Sequence, residues 1–205
     1  VAPDGFLQEV RKLCDEKGIL LIFDEIQAGL GRTGRLWACD HWNTTPDIMC
    51  LAKGIAGGVP MGATLVRPDI LAAISKGEHS STFGGNPLSC AAGIAALKAL
   101  TEDGLIENSE KMGKIFREGL EKLKENHSII REIRGKGLMI GVELKFEVRD
   151  ILMNLIKEGV LMLYSGRNIL RILPPLVITE EDITKVLQSL DSVLTEEEKK
   201  RSVQG

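Results

Sequence analysis

Apolar residues recur at helical spacing through Phe6, Leu7, Val10 and Leu13, and Pro3-Asp4 ahead of them supply a helix start that Gly18 would end. Residues 19–23 then run apolar without a polar break, the pattern of a short strand buried on both faces. Glycines crowd residues 28–35 and predict a loop over a ligand crevice. Two more short strands are expected over residues 47–51 and 62–66, and Pro68-Asp69 opens a short helix. Pro87 starts an alanine-rich helix over residues 88–100, which Asp103-Gly104 breaks. An amphipathic helix over residues 105–124 follows, with Leu105, Met112, Ile115, Phe116, Leu120 and Leu123 on one face.

The character of the chain then changes. Residues 129–133 and 137–144 predict a hairpin or two paired strands around Gly135-Lys136-Gly137. A helix over 148–158 and strands over 160–164 and 169–173 come next, stopped by Pro174-Pro175. Thr179-Glu180-Glu181-Asp182 caps a last helix to Leu194, and the charged tail from residue 195 to 205 is expected to fray. This order predicts an α/β domain over residues 1–100 and a small α+β domain over 101–205.

Composition narrows the function classes. Hydrophobic content of 43%, charged content of 27% and a net charge of −3 over 205 residues fit a globular domain with no bias toward nucleic acid or membrane surfaces. No apolar run reaches the roughly eighteen residues that cross a bilayer. Cys14, Cys39, Cys50 and Cys90, with His41, His79 and His127, are too scattered for a metal site or a disulfide framework, so reduced thiols in a cytoplasmic protein are expected. The start at Val1-Ala2-Pro3-Asp4 has neither an initiator methionine nor a signal core, and reads as a piece or a processed product.

Three sites carry candidate chemistry. Leu20-Leu21-Ile22-Phe23-Asp24-Glu25 is an apolar strand ending on an acid. Lys53 lies in Leu51-Ala52-Lys53-Gly54-Ile55, where apolar neighbours would desolvate the amine and favour its neutral form. Thr82 sits in the glycine turn Ser80-Ser81-Thr82-Phe83-Gly84-Gly85-Asn86-Pro87. An amine nucleophile, a strand-end carboxylate and a hydroxyl on a glycine turn are the parts that hold pyridoxal phosphate. Each alone has an ordinary reading: a solvated Asp-Glu pair, a surface lysine, a turn or helix-entry residue. Four apolar residues before Asp-Glu also match the metal-holding strand of a P-loop nucleotide hydrolase, but the required Gly-x-x-x-x-Gly-Lys-Ser/Thr loop does not occur here. An inactive interaction domain is the third alternative.

Further segments extend the pattern: Phe23-Asp24-Glu25-Ile26-Gln27, Gly31-Arg32-Thr33-Gly34, Pro46-Asp47-Ile48, Leu51-Ala52-Lys53-Gly54, Ser81-Thr82-Phe83-Gly84-Gly85-Asn86-Pro87 and Leu170-Arg171-Ile172-Leu173-Pro174-Pro175-Leu176. In this order they resemble the class III pyridoxal-phosphate aminotransferases over residues 1–194. The resemblance implies part of a fold type I large domain followed by a small α+β domain, and an obligate homodimer with shared active sites. It implies that Asp24 meets the pyridinium nitrogen, Gln27 the ring's phenolic oxygen, and Lys53 forms the Schiff base and moves the proton. Thr82 would reach the phosphate of the neighbouring subunit's cofactor, and Arg171 would grip the α-carboxylate of glutamate or 2-oxoglutarate. Ser80 and Phe83 depart from the glycine and tyrosine common at those places. The family's N-terminal half, with its Ser-Gly-Thr phosphate loop, stacking aromatic and substrate arginine and glutamate, is not in this sequence, so weak cofactor binding and little activity are expected of the 205 residues alone. Acetylornithine and carrier-protein-bound lysine aminotransferases resemble it most, residues 131–141 and 166–176 looking like the lysine-forming archaeal branch. Ornithine and 4-aminobutyrate aminotransferases and glutamate-1-semialdehyde aminomutase are the alternatives within the family.

Overall fold

A computed structural model describes residues 1–204 of the chain, with side chains as far as Ser202. Two compact units form, one over Ala2–Ile106 and one from Glu107 onward. The division falls a few residues past the predicted boundary, because the helix that begins at Leu105 starts inside the first unit.

The first unit opens with α1 (Phe6–Lys17), ended by Gly18 in the left-handed region. The Gly18 N–H reaches the Asp15 carbonyl at 3.3 Å and the Ile19 N–H reaches Cys14 at 2.9 Å, the paired bonds of a Schellman cap. Ile19 is thus spent on the cap, and β1 is confined to Ile22–Asp24. It pairs in parallel with β2 (Ile48–Leu51), which pairs antiparallel with β3 (Ala63–Val66), giving the order β1-β2-β3. The prediction that residues 19–23 are buried on both faces is corrected. Leu21 is buried, but Ile19, Leu20 and Ile22 are 57%, 49% and 56% exposed, because β1 is a sheet edge.

Asp47 clamps this sheet where β2 begins. Its carboxylate takes the Leu21 N–H at 2.6 Å and pairs with Arg11 of α1 at 2.7 Å and with Arg67 beyond β3. The Leu21 N–H and the arginines hold its carboxyl below the usual carboxylate range. After α2 (Pro68–Leu71), α3 (Pro87–Glu102) begins at a proline in its first turn, with the Asn86 side chain accepting the Ser89 N–H at 2.9 Å.

The second unit follows α4 (Leu105–Asn126) with the antiparallel sheet β4-β5-β7-β6, built from β4 (Ile130–Lys136), β5 (Met139–Leu144), β6 (Leu163–Ser165) and β7 (Ile169–Ile172). Strand alternation puts Ile140, Val142, Leu144, Leu170 and Ile172 into a core shared with Phe116 and Leu120 of α4, Ile151 and Leu155 of α5 (Arg149–Lys157), and Leu190 and Leu194 of α6 (Glu180–Gln204). Gly113 lets α4 press on the hairpin turn, since a Cβ there would collide with the backbone of Gly137. β6 starts later than predicted for the same reason as β1. Gly159 and Val160 donate to Ile156 and Leu155 in a second Schellman cap.

Thr179 and Asp182 cap α6 reciprocally, as predicted. The last helix runs past the expected end at Leu194: α6 continues to Gln204. Glu197 is buried and takes the Arg201 guanidinium at 2.7 Å, while Arg201 lies 3.4 Å over the Phe146 ring. His127, also buried, is held by Asp191 at 2.7 Å and Glu198 at 3.0 Å, both on α6. Among the described residues no helix is long and apolar enough to cross a membrane.

Candidate active site

Because β1 and β2 run in parallel, both leave the sheet at its carboxyl end, where ligands of α/β folds collect. Asp24 ends β1 opposite Cys50, and Lys53 stands just beyond Leu51, the last residue of β2. One Asp24 oxygen, Oδ1, accepts the Ile26 N–H at 2.9 Å. Gln27 follows half-buried in the turn that leaves the strand.

Lys53 starts a 3-10 turn, Lys53–Ala56, with φ of 51°, a left-handed conformation that a non-glycine residue holds at a cost of about 1–3 kcal/mol. The turn is pinned from below. Ile55 and Ala56 are buried, and α3 brings Gly93 against the Ile55 carbonyl, where a Cβ would lie at 3.5 Å. Leu51, Ile55 and Ala56 take the buried positions and leave Lys53 exposed, so the expected burial of its amine is not found. The lysine does have room beside it. A Cβ on Gly58 would meet nothing within 4 Å, and one on Gly54 only Leu30 Cδ1 at 3.8 Å.

The residue between Asp24 and the loop is not solvated. Glu25 is buried, and its carboxylate takes the Ala38 N–H on Oε2 and the Cys39 N–H on Oε1, both at 2.9 Å. Burial and then the Glu25 charge push the Cys39 thiol up to about 12. Neither role of Glu25 leaves a mark on the sequence, since its donors are main-chain groups more than ten residues away. Asp47, the sheet clamp, likewise has its Leu21, Arg11 and Arg67 partners twenty or more residues away.

Thr82 and Arg171 belong to other elements. Thr82 is exposed in the turn before α3, where the Ser81 hydroxyl accepts the Gly84 N–H at 2.9 Å. Arg171 lies on β7 in the second unit, opposite Gly141 on β5 and Leu163 on β6, and is half-buried. The structure therefore places Asp24 and Lys53 at the carboxyl ends of adjacent strands, with Gln27 in the turn after Asp24, Thr82 in the turn before α3 and Arg171 in the other unit.

The donor set fits pyridoxal phosphate on two counts: an amine with open space beside it, and a carboxylate on the neighbouring strand end for a ring nitrogen. The description "Aminotransferase class-III" matches residues 1–194. The chain belongs to the class III aminotransferases. It is 50% identical over 196 residues to an acetylornithine aminotransferase of Caldanaerobacter subterraneus, covering 95% of this chain and 50% of that protein. Against the acetylornithine aminotransferase of Methanocaldococcus jannaschii it is 46% identical, covering 96% of this chain and 49% of the other. It spans about half the length of these curated relatives.

Solved class III structures share the fold. An ornithine aminotransferase of Toxoplasma gondii, described with partial occupancy of PLP at its active site, superposes with a TM-score of 0.93 at 38% identity over 98% of this chain and 49% of its own. The acetylornithine aminotransferase of Elizabethkingia anophelis gives 0.91 at 39% identity over 96% and 53%.

Proposed function

We propose that the polypeptide containing this class III chain transfers the terminal (ω) amine of an acylated ornithine to 2-oxoglutarate, by way of pyridoxal phosphate, in arginine biosynthesis. The observation that carries the reading is the placement of a strained Lys53 and of Asp24 at the ends of two adjacent parallel strands. The named activities of the acetylornithine aminotransferases at 50% and 46% identity support the substrate class. Bound at these strand ends, pyridoxal phosphate would supply an electron sink for carbanion chemistry. The chain's own residues do the rest. Asp24 keeps a proton on the ring nitrogen, and Gln27 holds the ring oxygen. Lys53 tethers the cofactor through its amine and moves a proton at the carbon that bears the transferred amine, the terminal carbon of the acylated ornithine or Cα of glutamate.

Thr82 would serve the phosphate in a partner subunit and Arg171 the substrate carboxylate, so the reading includes a cytoplasmic homodimer with shared sites. A lysine-type donor, carried on a protein, is the finer alternative suggested by residues 131–141 and 166–176. Its test is a side-by-side assay of both donors. The 205 residues alone should bind cofactor weakly and turn over little. Borohydride reduction of the cofactor-loaded holoenzyme, followed by peptide mapping, tests the central claim: the label is expected on Lys53, and a label on another side chain would end the reading.

A further inference from the structure

The Asp-Glu pair that ends β1 splits into two environments. Asp24 is exposed, whereas Glu25 is 3% exposed, a rare place for a carboxylate. Two main-chain donors meet its charge, the N–H groups of Ala38 and Cys39, one on each oxygen at 2.9 Å. Its own backbone is tied as well: its N–H reaches the Cys50 carbonyl on β2 at 3.0 Å, and its carbonyl accepts the Gly29 N–H at 3.0 Å. Gly29 packs so closely that a Cβ there would sit 2.8 Å from the Glu25 carbonyl oxygen and 3.1 Å from Oε2. The loop over residues 26–37 therefore leaves β1 at Glu25 and returns to the same side chain.

We propose that Glu25 is a positioning residue for the cofactor-binding pair Asp24, at the end of β1, and Gln27, in the loop, its buried carboxylate closing the base of that loop. Asp24 precedes it and Gln27 follows two residues on, so each depends on where Glu25 is held. Binding groups must sit within about 0.5 Å of their working places, and a loop secured only at one end does not hold that tolerance. A glutamine here offers one acceptor oxygen and turns an N–H donor toward the second main-chain N–H.

This inference rests on the class III reading, and the holoenzyme separates the two. If borohydride fails to label Lys53 in the unsubstituted protein, the reading falls and takes the inference with it. If Lys53 is labelled, Glu25→Gln decides the role of Glu25 alone. The expected result is retained far-ultraviolet dichroism, about tenfold weaker pyridoxal phosphate binding, a displaced pH midpoint for the visible band, and faster reaction of Cys39 with a thiol reagent. A lower melting temperature with unchanged affinity and midpoint would make Glu25 merely structural and overturn the proposal. Should Glu25→Gln not fold, Ala38→Pro removes one of the two donors and leaves the carboxylate intact. Trp37 before it is already extended (φ −117°, ψ 144°) and Ala38 begins a 3-10 turn, so proline is accommodated. About threefold weaker cofactor binding with a displaced midpoint is expected there, and unchanged values would overturn the proposal equally.

Discussion

Lys53 stores backbone strain at the point where the chemistry is proposed. At φ of 51° its Cβ crowds the following carbonyl, a conflict only glycine escapes. The buried Ile55 and Ala56 and the approach of Gly93 hold the turn in place against that cost. Lys53→Gly should therefore melt higher than Lys53→Ala, by the equivalent of about 1 kcal/mol, although both lose the amine. Equal melting of the two variants would show that the left-handed conformation is not kept in solution. Placement at this scale was legible in the sequence: the acid does end β1 and the lysine does follow β2. Burial was not. Lys53 is exposed and Glu25 buried, the reverse of what their neighbours suggest, because the donors to Glu25 come from Ala38 and Cys39.

Among the elements, α6 depends on pH through His127. Burial works against its charge, but hydrogen bonds and proximity to Asp191 and Glu198 prevail and raise its pKa above the ordinary 6.5. The clasp is thus fully present below the unfolded value and is lost as pH rises through the raised folded value. The stability gap between the wild type and His127→Gln should be larger at about pH 6 than at about pH 9, as measured by urea unfolding. A gap independent of pH would mean that the histidine stays neutral in the fold. Element positions were legible wherever a cap was local: Pro87 opens α3, and Thr179 with Asp182 opens α6. They were misplaced after Gly18 and Gly159, where the apolar residue that looks like the start of a strand closes a helix instead. The tail misled for another reason. Its charges resemble a solvated end, yet Glu197, Glu198 and Arg201 find partners on the helix itself, on Phe146 and on His127.

For the whole molecule, the two units differ in how completely they bury their own apolar surface. From Glu107 onward, three helices and a four-stranded sheet close over one continuous core, although Met153, Leu161, Leu163, Tyr164 and Val177 stay exposed outside it. In Ala2–Ile106, Ile22, Leu65, Leu71, Phe83, Leu88 and Ile94 all remain about half exposed or more. Expressed separately, residues 107–205 should be soluble and unfold cooperatively, whereas residues 2–106 should aggregate or melt without a sharp transition. Calorimetry of the two pieces tests this, and a sharp transition in the first piece would refute it. The match to class III proteins of about twice the length is consistent with a first unit that does not complete its own core.

A small detail at Asp24 carries the furthest. With one oxygen tethered to the amide two residues downstream, its carboxylate is biased toward one orientation about the Cβ–Cγ bond. A flat heterocycle would then meet an acceptor already turned toward it, and the aim of that acceptor begins in a single backbone contact made before any ligand arrives.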